Sequence, residues 1–399
     1  MMELKSFISE EITKEYLKPF LKEKGISNVS LSKGELLGKL RDLVLDQVIS
    51  EKQYWEFIVR AFQYGYNRIF LTSIIEFPST SSMLNLKSLS KKMKELSLKE
   101  GNFNDINTIE FDSRAKEPTI KYQNIETKFG KISKVELCYF STINQTKLVD
   151  GEKVNSLLRV FDWVTIDFEL KRFTIHTRNN GFNPLNESST LRGIHNKMSN
   201  EIQKLFPFTI KESIHEKTTL YNIYKEMTDT AEKPFRDKVK HEEKLFSDFI
   251  SSACEKLEYK MDQDTLDLRN RIDRLFERGL IEQNFQLYSE YFEGKLGIVQ
   301  QIGFSDGTGA KVSAKVLDKK DNISNYEIYF DTRETLDKKK CLDKLKVTWY
   351  IMLEGRETKF DYDVKFVVED NFYVTHFIGP YLTEEVFDFV FSRFREFEI

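Results

Sequence analysis

The arrangement in this chain that most directly suggests chemistry is Glu169-Leu170-Lys171, with Asp150, Asp162 and Asp167 just upstream. Acids and a lysine in such a pattern could hold a divalent cation between carboxylates while the ammonium assists an attacking water. Asp162, Glu169 and Lys171 are the catalytic candidates on that reading. The chemistry needs these groups to project to one point from neighbouring strands, whereas residues 167–171, between Ile166 and Phe173, read as a charged turn. A second stretch, GFSDGTGAK at residues 303–311, carries the glycines of a phosphate loop. Ala310 nevertheless separates Gly309 from Lys311, and strand residues follow where a helix would have to begin. His176, His195, His215, His241 and His376 include no pair at i, i+2 or i, i+4, so no metal-ligand spacing is present. Cys138, Cys254 and Cys341 are far apart and odd in number, which points to reduced, buried thiols and not to a disulfide framework or a zinc site. With no G-x-S-x-G, no dinucleotide fingerprint and no recognised Cys–His spacing, no cofactor is expected and no small-molecule substrate is evident.

The E-x-K triplet and its upstream acids resemble the core of the PD-(D/E)xK nucleases. That resemblance implies Mg²⁺-dependent cleavage of nucleic acid, one of two alternatives to the main reading below.

Basic residues give a different kind of site. The stretch YLKPFLKEKGISNVSLSKGELLGKLRDLV, residues 16–44, places Leu17-Lys18, Phe20-Leu21-Lys22, Gly25 and Ile26 before Lys33-Gly34, Leu37 and Leu40. It resembles a SAP motif, a helix–extended–helix unit, over about 30 of 399 residues. The resemblance implies contact with double-stranded DNA through basic side chains and helix N-termini. The donors would be Lys18, Lys22, Lys24, Lys33, Lys39 and Arg41. Pro19 departs from the pattern, since it stands inside the first helix, and Glu10, Glu11, Glu15, Glu23 and Glu35 bring the segment's net charge near zero. Farther on, Leu86, Leu89, Met93 and Leu96 recur at helical spacing with Lys87, Lys91, Lys92, Lys94 and Lys99 on the other faces. Such a lysine-rich helix could lie on phosphates.

The elements that must position these residues are legible in part. Ser32 with Glu35 and Ser50 with Gln53 are capping boxes, so helices should begin near residues 33 and 51. Ile8, Ile12, Tyr16, Leu17, Phe20 and Leu21 form one apolar face of a first helix over about 9–24, stopped by Gly25. The three helices are expected to share one small core. From Lys131 the period becomes two, giving strands in 131–143, 156–168 and 169–178, then a helix near 189–205. A similar strand–strand–strand–helix order recurs at 345–399. Between these regions Pro234 is expected to open a long helix through Leu257, followed by a second ending near Gly279 and a hairpin turning at Asp306-Gly307. The helix and hairpin are compatible with a winged-helix module.

The two strand regions align without gaps at an offset of 199 residues, Phe161-Asp162-Trp163 on Phe360-Asp361-Tyr362, Phe173 on Phe372 and Ile175 on Val374. An internal duplication of this kind is similar to the TATA-binding-protein-like fold and implies a pseudo-twofold saddle or a continuous antiparallel platform.

The expected fold is thus α+β and multidomain, an N-terminal helical bundle followed by two antiparallel β-sheet regions with flanking helices. Its segments are a three-helix SAP-like module (1–75), a Ser/Lys-rich linker and basic helix (76–120), a β-rich α+β domain (121–215), a helical spacer (216–290) and a C-terminal α+β domain (291–399). With 61 basic and 64 acidic residues, attraction to nucleic acid must come from a local patch and not from the whole-molecule field. No apolar run approaches the roughly 20 residues that cross a bilayer, and the acidic N-terminal stretch lacks a signal-peptide core, so a cytoplasmic location (nuclear in a eukaryote) and no membrane contact are expected. The expected function is non-enzymatic. The chain would bind double-stranded DNA and dock a protein partner or a second copy on exposed sheets. The other alternative is a subunit of a multiprotein assembly, for example a bacterial anti-phage defence complex, with no DNA contact.

Overall fold

A computed structural model describes residues 4–26, 30–65, 67–78, 85–95, 119–149, 152–178, 190–261, 267–284, 296–305, 309–317, 322–352, 360–379 and 381–398. The fold is α+β, and the chain divides into two compact units, residues 1–214 with 364–391 and residues 215–363 with 392–399.

The first unit is built on antiparallel strands β1 (Arg68–Glu76), β2 (Thr119–Lys128), β3 (Lys131–Val149), β4 (Glu152–Asp167) and β5 (Arg172–Arg178). A short β6 (Thr209–Ile210) pairs with the end of β1. β10 (Phe360–Val368), from Val364 onward, and β11 (Tyr373–Ile378) complete it, in the order β2-β3-β4-β5-β1-β11-β10. Strand alternation divides the side chains cleanly. Cys138, Phe140, Phe161 and Trp163 enter one core with helices α1 (Ser6–Glu11), α2 (Lys14–Glu23), α3 (Lys33–Leu45) and α4 (Glu51–Gln63). Leu137, Tyr139, Val164 and Ile175 enter another with α5 (Leu86–Glu95), through Leu89, and α6 (Leu191–Gln203), through Met198 and Ile202. Helices therefore pack on both faces of this sheet, so in the first unit the expectation of an exposed sheet is corrected. A period of two with apolar residues at odd and even positions alike needs cover on both sides. The helices, likewise, share their core with the sheet and do not form a bundle of their own.

β1 was not foreseen as a strand. Its sequence, RIFLTSIIE, is almost wholly buried, so it has no polar alternation to announce it. On its two sides it pairs antiparallel with β5 and β11, and Leu71 faces both Ile175 and Val374. These are positions related by the 199-residue offset. β5 and β11 consequently run in the same direction on either side of one strand, a side-by-side relation. A twofold axis normal to the sheet would run them oppositely.

The expected first helix is two, since Thr13 caps a new start at Lys14 and Pro19 lies inside α2. The second unit contains α7 (Ile214–His241), α8 (Glu243–Lys256), α9 (Leu268–Gln283), α10 (Glu327–Lys339) and the last residues of α11 (Glu384–Glu396). In it β7 (Gly297–Ser305) lies between β8 (Lys311–Lys315) and β9 (Lys344–Ile351). Pro234 does not open a helix here. It lies inside the 28-residue α7, because Leu220, Ile223 and Met227 before it and Phe235 and Val239 after it are buried along one helix. The chain breaks instead after His241. The hairpin turn at Asp306-Gly307 lies outside the described residues. Among the described residues no helix is long and apolar enough to cross a membrane.

Candidate nucleic-acid interface

Helices α1–α4 hold the SAP-like segment. Ser32 and Glu35 form the foreseen capping box, with Ser32 N–H donating to Glu35 Oε2 at 2.7 Å and Glu35 N–H to Ser32 Oγ at 3.3 Å. The hydrogen bonds from Ser32, and Lys14 nearby, hold the Glu35 carboxyl below its usual range. The α3 N-terminus, which in a SAP motif would face a phosphate, thus already carries a carboxylate. Arg68, almost fully buried, anchors the helices from below by donating to the carbonyls of Phe62 and Tyr64, and its guanidinium is 3.8 Å from Glu11. Arg60 ties α4 to the sheet through Glu136 at 3.1 Å and to Glu384 at 3.2 Å.

The predicted DNA donors fall into two sets. Lys33 Nζ donates to Ser9 O at 2.8 Å and so ties α3 to α1, while Lys39 is 3.4 Å from Asp42 in an exposed pair within α3. Lys24 is exposed, its ammonium 5.6 Å from the centre of the Phe20 ring. Lys22 is exposed, and Lys18 and Arg41 are half-buried. On α2, Lys14, Lys18 and Lys22 recur every four residues and share a face, while Tyr16, Leu17 and Leu21 are buried on another. Lys87 and Lys91 of α5 are exposed, whereas the side chains of Lys92 and Lys94, and all of Lys99, lie outside the described residues. Because α2 and α3 pack on one face of the sheet and α5 on the other, the two basic groups are not brought together.

The catalytic candidates do not converge either. Asp162 is buried in the middle of β4, beside Thr177, and burial raises its carboxyl to about 6. Glu169 and Lys171 stand in the turn after β4, where Asp167 Oδ1 accepts the Glu169 and Leu170 N–H groups at 3.0 and 2.8 Å and Lys171 has φ 53°. Five strand residues separate Asp162 from the strand end, about 16 Å at ~3.3 Å per residue. Glu169 is exposed and pairs with Lys128 at 3.0 Å. Among the described residues no group of His, Cys, Asp and Glu side chains could hold a metal ion. His176 is buried against the Phe70 ring. His376 is half-buried with Nε2 2.9 Å from Asn67 Oδ1.

Sequence reasoning missed a larger concentration of charge in the second unit. Glu232 on α7, with Oε2 2.7 Å from Arg333 Nη1 of α10, also accepts the Tyr329 hydroxyl. Arg333 reaches Glu277 of α9 at 3.3 Å, and Arg236 lies 2.6 Å from Asp229. Asp337 receives Tyr221 at 2.9 Å and Lys225 and Arg274 at 3.3 Å each. Glu232, Glu277 and Arg333 are buried, and burial pushes the Glu232 carboxyl up against the opposing pull of Arg333. The available signal was the helical spacing of charge in Lys225, Asp229, Glu232, Arg236 and Lys240, and again in Tyr329, Arg333 and Asp337. Comparison with known proteins finds no family model that matches this chain and no curated protein similar to it.

Proposed function

We propose that the protein is a non-enzymatic binder of double-stranded DNA and that α2 and α3 make the contact. The observation that carries this reading is the face of α2 on which Lys14, Lys18 and Lys22 recur, with Lys24 just beyond its end and Arg41 on α3. None of these five is ion-paired among the described residues. Long basic side chains not held in ion pairs are what phosphate neutralisation requires, and between Lys14 and Leu45 there are seven basic residues and four acidic ones. Since Glu35 caps α3, binding would come from side-chain charge and would be largely independent of base sequence. The lysines of α5 lie on the far face and would not meet the same stretch of duplex. Fluorescence anisotropy of a labelled duplex tests the reading: Lys18→Glu with Lys22→Glu should weaken binding at least tenfold at low salt, and unchanged affinity would sink it.

A second reading, a subunit of a protein assembly, is favoured by the exposed Leu245 and Phe249 of α8 and Leu275 and Phe276 of α9. Light scattering that gives the mass of one chain at all concentrations would remove self-association from it.

A further inference from the structure

The charged helices of the second unit line an open cavity of about 620 Å³, within the range of small-molecule sites. Each helix turns one face to it. α7 contributes Lys225, Arg236, Val239 and Lys240, and α8 contributes Glu243, Ser247, Ile250 and Ser251. α9 adds Arg269, Asp273, Arg274 and Glu277, and α10 adds Arg333 and Asp337. The wall carries six cations, and its carboxylates are largely committed to them. Asp273 is taken by Arg269 through two contacts of 2.9 Å, Glu277 by Arg333, and Asp337 by Lys225 and Arg274.

Two features distinguish this wall from a self-satisfied ion network. The cations are held from behind, with Arg333 backed by the buried Glu232 and Arg236 by Asp229, so their planar forks are ordered before any ligand arrives. Capacity is also left over among the described residues. Lys240 is exposed without an ion pair, and Arg274, a fifth of its side chain exposed, makes one ion pair through Nη2 to Asp337 while its solvent-shielded Nη1 has no hydrogen-bond partner. Val239, Ile250 and Met261 give the same cavity apolar wall, which an inorganic ion alone would not use.

We infer that this cavity binds an organic phosphate of about mononucleotide size, its phosphate on Arg274 with the neighbouring Arg236, Arg333 and Lys240 and its body against Val239, Ile250 and Met261. Guanidinium groups in a partly dehydrated wall recognise phosphate oxygens through paired, charge-assisted hydrogen bonds, and the apolar strip selects an organic substituent. The inference is independent of the DNA reading, which concerns the other unit.

The test is calorimetric titration of the full-length protein with AMP, ATP, pyrophosphate and citrate. AMP and ATP should bind saturably, and pyrophosphate and citrate at least tenfold more weakly. Arg274→Ala should weaken nucleotide binding tenfold or more. It should still fold, because Asp337 keeps Lys225 and Tyr221. Ser251→Trp fills the cavity without removing charge and should abolish binding, while Lys18→Glu should change nothing. Absence of saturable nucleotide binding, or binding that survives both Arg274→Ala and Ser251→Trp, would overturn the inference. Pyrophosphate binding as tight as that of ATP would overturn the organic part of it.

Discussion

At the residue scale, three buried groups set the acid sensitivity of the first unit. Burial pushes His176 down to about 3 and His195 down to about 4, so both are neutral in the folded protein and titrate near 6.5 when unfolded. A base with a lowered folded pKa leaves the unfolded chain holding the extra proton, so stability falls as pH drops below 6.5. At pH 5 each costs about 2 kcal/mol. Asp162 works in the opposite sense. Burial raises it to about 6 against 3.8 in the unfolded chain, so ionising it in place is a penalty present above pH 6 and relieved as pH falls toward 4. Urea denaturation should therefore show a net loss of about 2 kcal/mol between pH 7 and pH 5. Equal stability at the two values would mean that the histidines are not held neutral. Asp162→Asn removes the buried charge and should stabilise the protein at pH 7 by up to about 3 kcal/mol, with little gain at pH 4. A gain of the same size at both values would point to packing and not to charge.

At the element scale, the two glycines most worth replacing have opposite outcomes. A Cβ on Gly297 would stand 2.2 Å from the Thr348 carbonyl oxygen, a backbone atom of the paired strand, so Gly297→Ala must part β7 from β9 and should cost about 3 kcal/mol or more. Gly38 lies inside α3, where an added Cβ meets nothing nearer than Arg41 Nη2 at 4.0 Å, and Gly38→Ala should stabilise by about 1 kcal/mol. Thermal unfolding of the two variants checks the pair, and a destabilised Gly38→Ala would show that α3 is more closely packed than its surroundings indicate. Elements of this kind were legible where their signals are local. Ser32, Glu35, Ser50 and Gln53 state where two helices begin because cap and partner are three residues apart. β1 was not legible because burial on both faces removes the alternation that marks a strand. Pro234 misled because a local preference for a helix start was outweighed by packing along both halves of α7. The Arg333–Glu232–Glu277 cluster was hidden for a third reason, that its members are spread over about 100 residues of sequence and meet only through three helices.

At the scale of the whole molecule the charge is near balance, so a polyanion cannot be drawn in by a general field and any duplex binding must rest on the few phosphates that a local face neutralises. That makes the salt dependence a count of contacts. Each phosphate neutralised contributes about 0.9 to the slope of log K against log salt. If Lys14, Lys18, Lys22, Lys24 and Arg41 all engage, the slope should be near −4 to −5, and Lys18→Ala with Lys22→Ala should make it shallower by about 2. Removing Lys87 and Lys91, which stand across the sheet from α2, should leave the slope unchanged for a short duplex. The measurement separates a built face from diffuse attraction. If the α5 variant lowers the slope as much as the α2 variant does, the duplex is sampling lysines wherever they stand, and α2 and α3 lose their claim to be the interface.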